Sequence, residues 1–120
     1  MYEHEKLNYL EFATRDLEAS KAFFTSVFDW AFTDYGDDYT AFDNQGLEGG
    51  FYRADLASVY EQSGALCVFY SQNLEATLAK IEAAGGTIVK PTFAFPGGRR
   101  FHFTEPSGNE FGVWTDQDAS

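Results

Sequence analysis

Residues 96–114 run Pro96-Gly97-Gly98-Arg99-Arg100-Phe101-His102-Phe103-Thr104-Glu105-Pro106-Ser107-Gly108-Asn109-Glu110-Phe111-Gly112-Val113-Trp114. They read as two alternating strands joined by a tight turn. Side chains alternate along a strand, so Arg100, His102 and Thr104 share one face and Phe101 and Phe103 the other. Glu105 to Asn109 supply the turn: Pro106 presets φ near −65°, and Gly108 and Asn109 tolerate positive φ.

Working outward, the chain repeats itself. Residues 15–22 (Arg-Asp-Leu-Glu-Ala-Ser-Lys-Ala) match residues 72–79 (Gln-Asn-Leu-Glu-Ala-Thr-Leu-Ala). A strand precedes each copy, Leu7 to Ala13 and Ala65 to Ser71, and a helix follows each. Asp16 and Asn73 are expected N-caps, because their side-chain oxygens can accept from unpaired helix N–H groups. Glu18 and Glu75 then suit the positive end of the helix dipole. Leu17, Phe24, Val27 and Phe28 form one apolar stripe, and Leu74, Leu78 and Ile81 the other, the second helix ending at Gly85-Gly86.

Three strand candidates follow each helix. They are Ala31 to Tyr35, Asp38 to Asp43 and Leu47 to Arg53, then Thr87 to Lys90, Arg99 to Thr104 and Glu110 to Thr115. Each half is therefore βαβββ. The expected class is α+β, with two βαβββ modules forming an open curved sheet around a cavity. Module 1 covers about residues 6–53, a connector 54–64 carries a helical turn near Ala57 to Glu61, and module 2 covers 65–116. All lie in one domain of 120 residues, with Gln117 to Ser120 expected to fray.

The net charge of −11, with eight basic residues spread among nineteen acids, argues against nucleic acid and anionic membranes as partners. No run of eighteen apolar residues occurs, and the first six residues lack the form of a signal peptide, so a cytoplasmic location is expected. Cys67, the single cysteine, sits in an apolar strand and reads as a small buried hydrophobe.

The pattern aromatic-x-aromatic-x-Glu-Pro-x-Gly-Asn, closing a chain of this size, resembles the vicinal-oxygen-chelate superfamily. That group includes glyoxalases, extradiol dioxygenases, and fosfomycin- and bleomycin-resistance proteins. The resemblance spans essentially the whole chain and implies paired modules around a cavity. In metal-dependent members a ligand lies seven residues before each helix-capping residue, and a Glu lies on the last strand. Carried over, these positions are Tyr9, Leu66 and Gly112. Leucine and glycine offer no donor, and tyrosine is a poor ligand for a divalent ion at neutral pH. A one-residue slip substitutes Asn8, Ala65 or Phe111 and restores nothing. His4 reads as a solvated terminal residue. No metal and no other cofactor is therefore expected.

Alternation places Tyr9, Glu11 and Ala13 of the first strand on the cavity face, with Leu66, Val68 and Tyr70, then Arg100, His102 and Thr104, then Glu110, Gly112 and Trp114. The expected cavity has an aromatic wall (Tyr9, Tyr70, Trp114) and a polar cluster (Glu11, Arg100, His102), the usual form of a small-molecule site. Two functions follow. One is a metal-free binding protein of the resistance or sequestration type, holding a small aromatic or cationic molecule through Tyr9, Tyr70, Arg100 and Trp114. The other is a metal-independent lyase or isomerase acting on a small carbonyl compound, with His102 and Glu11 as acid and base. Whether the chain is an enzyme stays open at this point. A homodimer is expected, since chains this short in the family often complete their cavities with a partner subunit.

Overall fold

The computed structural model describes residues 2–117, so Asp118 to Ser120 of the expected tail lie outside the described residues. The elements are β1 (Tyr9–Thr14), α1 (Leu17–Phe28), β2 (Phe32–Asp34), β3 (Tyr39–Gln45), β4 (Leu47–Arg53), a 3-10 turn (Tyr60–Gln62), β5 (Cys67–Tyr70), α2 (Leu74–Ala83), β6 (Thr87–Phe95), β7 (Gly98–Thr104) and β8 (Glu110–Thr115). The sheets have strand orders β1-β4-β3-β2 and β5-β8-β7-β6. The first strand of each module pairs parallel to the last, β1 with β4 and β5 with β8. This is the expected α+β pair of βαβββ modules. It is not a closed barrel, because the two sheets remain separate.

Both helices begin as their sequences dictate. Asp16 accepts from the Ala19 N–H and Asn73 from the Ala76 N–H, each at 3.1 Å. The helical turn of the connector falls later than expected, at Tyr60–Gln62. Strand β6 runs five residues beyond its expected end at Lys90, straight through Pro91. Two register shifts against β7, between Ile88 and Lys90 and between Lys90 and Phe93, let it continue. Pro is tolerated there because β6 is an edge strand and bulged.

One core joins the modules. Phe24 of α1 stacks on Trp30 at 4.6 Å and meets Phe51 of the first sheet at 5.6 Å and Phe111 of the second at 5.3 Å. Phe28 stacks on Phe69 at 4.2 Å, and Phe23 meets Phe103 at 5.8 Å. The helix-facing sides of both sheets are thus filled with phenylalanine. Their opposite faces turn outward, leaving Tyr9, Tyr52, Val68 and Tyr70 respectively 41%, 38%, 42% and 46% exposed. The face assignments from alternation hold. Their assembly into one cavity within a single chain does not, because the helices and the shared core lie between the modules.

The turn Glu105 to Asn109 does more than reverse the chain. Glu105 is buried; Ser20 Oγ donates to its Oε2 at 2.6 Å and the Ser107 N–H to its Oε1 at 2.5 Å. Thr14 Oγ1 lies 2.6 Å from Ser107 Oγ and 2.8 Å from Ser20 Oγ. Asn109 donates to the Ala13 carbonyl at 2.7 Å and accepts from the Ser58 N–H at 2.8 Å. Gly108 sits at φ 97°, a conformation that favours glycine. The motif is a polar latch fastening β7–β8 to β1, α1 and the connector.

Burial pushes the Glu105 carboxyl above its ordinary 4.5, against the pull of hydrogen bonds from Ser20, Asn109, Ser107 and Gly108. A raised folded pKa gives a contribution to stability that is full below the unfolded pKa and lost as pH rises through the folded one. The stability of the native chain relative to Glu105→Gln should therefore fall as pH rises above 4.5. Urea midpoints of both proteins across that window would show it; a constant difference would contradict it.

Candidate functional site

Strand β7 carries the site. In the β7–β8 register His102 faces Gly112 and Thr104 faces Glu110, so His102 and Glu110 are diagonal neighbours on one face. Glu110 Oε2 lies 2.9 Å from His102 Nδ1. An ionised carboxylate only accepts, so Nδ1 carries the proton. The other oxygen, Oε1, accepts from the Tyr60 N–H at 3.1 Å, pinning the connector over the sheet. The Tyr60 ring then meets the imidazole edge to face at 5.3 Å, and the Phe93 ring of β6 lies 6.1 Å from it, tilted. His102 is buried, and its Nε2 has no hydrogen-bond partner among the described residues.

Two residues along the same face, Arg100 presents a second buried atom, Nε, without a partner among the described residues. Its guanidinium lies over Phe93 at 5.3 Å and Phe95 at 5.9 Å, and Lys90 Nζ lies over Phe93 at 4.9 Å. The β6 bulges explain this grouping. One extra residue between Lys90 and Phe93 brings both opposite β7 residues of the same face, Lys90 opposite His102 and Phe93 opposite Arg100. Trp114 meets Tyr70 at 5.1 Å and Phe95 at 6.2 Å. On the His102 side of this group lies a cavity of about 640 Å³ lined by Tyr60, Glu61, Lys90, His102, Thr104 and Glu110, among others; Arg100 and the Phe93, Phe95 and Trp114 rings lie along the strand face outside it.

The first sheet keeps a separate polar group. Tyr39 donates to Glu11 Oε2 at 2.9 Å, and the Tyr9 and Tyr39 hydroxyls lie 2.6 Å apart. Tyr39 reaches them across Gly50, where a β-carbon would collide with its hydroxyl. Burial, then the bonds to Tyr9 and Glu11, push the Tyr39 hydroxyl well above its ordinary range, so it stays a donor.

The expected pairing of Glu11 with His102, or with Arg100, is therefore corrected. Glu11 belongs to sheet 1 and bonds Tyr39; His102 belongs to sheet 2 and bonds Glu110. Likewise Tyr9 joins no wall with Tyr70 and Trp114, which do meet each other. Glu110, Tyr60, Lys90 and Phe93 are the contributors that sequence reasoning did not select. Glu110 was signalled by its place on the His102 face; the other three depend on the connector fold and the bulges.

The resemblance places metal ligands at Tyr9, Leu66 and Gly112. Leu66 and Gly112 have no donor, and the Tyr9 hydroxyl is engaged by Tyr39. No cluster of three His, Cys, Asp or Glu suited to a metal occurs among the described residues. His4 lies exposed beside Glu5. This donor set does not fit a divalent ion. Burial pushes the Cys67 thiol above its ordinary range, so the nucleophilic thiolate is disfavoured.

A family model described as the Glyoxalase/Bleomycin resistance protein/Dioxygenase superfamily matches residues 6–113. The chain belongs to this superfamily. Among solved structures it is similar to the genomically encoded fosfomycin resistance protein FosX from Listeria monocytogenes, with TM-score 0.77, 19% identity, and 94% of each chain covered. It is similar to a glyoxalase-related enzyme from Fulvimarina pelagi, with TM-score 0.76, 16% identity, and 92% of this chain and 88% of that one covered. It is also similar to lactoylglutathione lyase from Agrobacterium tumefaciens, with TM-score 0.68, 17% identity, and coverage of 92% and 93%. At these identities the likeness establishes the fold, and superfamily membership does not carry one reaction with it. No curated protein matches the chain significantly. No helix among the described residues is long and apolar enough to cross a membrane.

Proposed function

We propose that this superfamily member is a metal-independent binding protein for a small aromatic molecule, of the resistance or sequestration type. The observation that carries the reading is a pair of buried nitrogens without partners among the described residues: His102 Nε2, whose ring lines a cavity, and Arg100 Nε, beside aromatic rings on the same strand face. Buried polar atoms nearly always have a partner, and a bound molecule is a natural one. The exposed Tyr9, Tyr52, Val68 and Tyr70 support a second part of the reading, a C2 homodimer that covers the outward faces and completes the cavity. Such an interface should bury at least about 1,000 Å² in total.

Native mass spectrometry of protein purified without a metal-affinity tag tests this directly. Two chains, retained small-molecule cargo and no stoichiometric Zn, Ni, Fe or Mn are expected, with a thermal midpoint indifferent to chelator. One tightly held transition metal per chain and a chelator-sensitive midpoint would overturn the metal-independent reading, because a bound ion stabilises the fold by mass action.

One observation favours a second reading, a lyase or isomerase acting on a small carbonyl compound. Glu110 fixes the His102 tautomer that leaves the Nε2 lone pair free to take a proton, with Glu110 in the role expected of Glu11. His102→Asn separates site from scaffold: its amide can keep the bond to Glu110 while the Nε2 position is lost. Binding or turnover should drop about tenfold or more, with stability kept within about 1 kcal/mol. A variant that melts early and binds normally would make His102 purely structural.

A further inference from the structure

We infer that the His102 face takes a small aromatic anion, a carboxylate or its like, through Arg100 and Lys90; this deepens the binding reading and rests on it. The argument begins with how this acidic chain uses its bases. Arg15 pairs with Asp55, Lys21 with Glu18 and Asp34, Arg53 with Asp38, and Arg99 with Glu75. Lys6 and Lys80 are exposed. Arg100 and Lys90 alone converge on one aromatic ring, Phe93, and neither has a carboxylate within ion-pair distance among the described residues.

The Arg100 Nε–H is buried without an acceptor among the described residues. A guanidinium packed over Phe93 and Phe95 has lost much of its freedom already, so little further ordering is needed to bind an anion. Two acids, Glu61 and Glu110, line the neighbouring cavity, and neither forms an ion pair with Arg100 or Lys90 among the described residues. Both Glu110 oxygens are occupied, by His102 and the Tyr60 N–H. Glu61 lines the cavity from the connector but pairs with neither cation. Phe93, Phe95, Trp114 and Tyr70 supply ring surface on the same face, so the ligand needs an aromatic body as well as a charge. The cationic ligand left open by the sequence is disfavoured at this face by Arg100 and Lys90.

Three probes of similar shape separate the possibilities on the full chain: benzoate, neutral benzamide and cationic benzyltrimethylammonium, each titrated calorimetrically. Benzoate should bind about tenfold more tightly than benzamide. Arg100→Gln should erase that preference, and Lys90→Gln, at an exposed position, should weaken it if the Arg100 variant fails to fold. Lys80→Gln, which removes one positive charge from α2, should leave it intact. Equal binding of benzamide, or a preference for the ammonium, would overturn the anion inference while leaving the aromatic-binding reading standing. Failure of all three to bind at about 10 mM would overturn both.

Discussion

Phe24→Ala should cost about 3–5 kcal/mol, the usual penalty for removing a buried phenylalanine from a core that cannot close around the gap. Phe24 is completely buried and lies within 6.1 Å, centroid to centroid, of Phe23, Phe28, Trp30, Phe51 and Phe111. Its ring contacts both sheets, so the loss should fall on both modules at once. Total stability of a domain is about 5–15 kcal/mol, so the variant should be marginal at physiological temperature. Urea unfolding followed by tryptophan fluorescence, which reports Trp30 stacked on Phe24, should show one transition at a much lower midpoint. A loss under about 2 kcal/mol would mean that the neighbouring rings collapse into the space and that Phe24 does not hold the modules together.

Asn109→Asp should be as damaging, for an electrostatic reason. The native amide donates to the Ala13 carbonyl and accepts from the Ser58 N–H, within a fully buried site. An ionised aspartate keeps the acceptor but turns a donor into a second acceptor facing that carbonyl. It also brings a second carboxylate beside Glu105, whose Oε1 lies 3.4 Å from the Asn109 backbone nitrogen. An uncompensated buried charge costs about 3–5 kcal/mol. The defect should ease as pH falls, because the introduced carboxyl, once protonated, can donate again. Thermal melts at neutral and mildly acidic pH should show the gap to the native chain narrowing. A pH-independent gap would place the damage in shape rather than charge.

Much of this fold is legible because its signals are local. The Asp16 and Asn73 caps, the repeated Leu-Glu-Ala that follows them and the two-residue alternation around His102 each depend on neighbours a few positions away. Face assignment is likewise local, which is why Arg100, His102, Glu110 and Trp114 could be placed on one face from spacing alone. The missing donors at Leu66 and Gly112 are read from residue type. The role of Glu105 is not legible in this way. Beside Pro106 it reads only as part of a turn, and its contacts with Ser20, Ser107 and Asn109 are what show a buried carboxyl holding a latch.

The sequence alone determined the modules, their order, the superfamily and the polarity of each strand face. Tertiary structure decided which faces meet. Glu11 and His102 both lie on the helix-free side of their strands, yet the phenylalanine core between the modules keeps them in separate sheets, with Tyr39 and Glu110 as their partners. The β6 bulges likewise bring Lys90 and Phe93 opposite His102 and Arg100, where simple alternation would put them on opposite faces. Alternation is a property of one strand; partnership depends on register and on how the apolar surface is buried, and both are settled only when the whole chain packs.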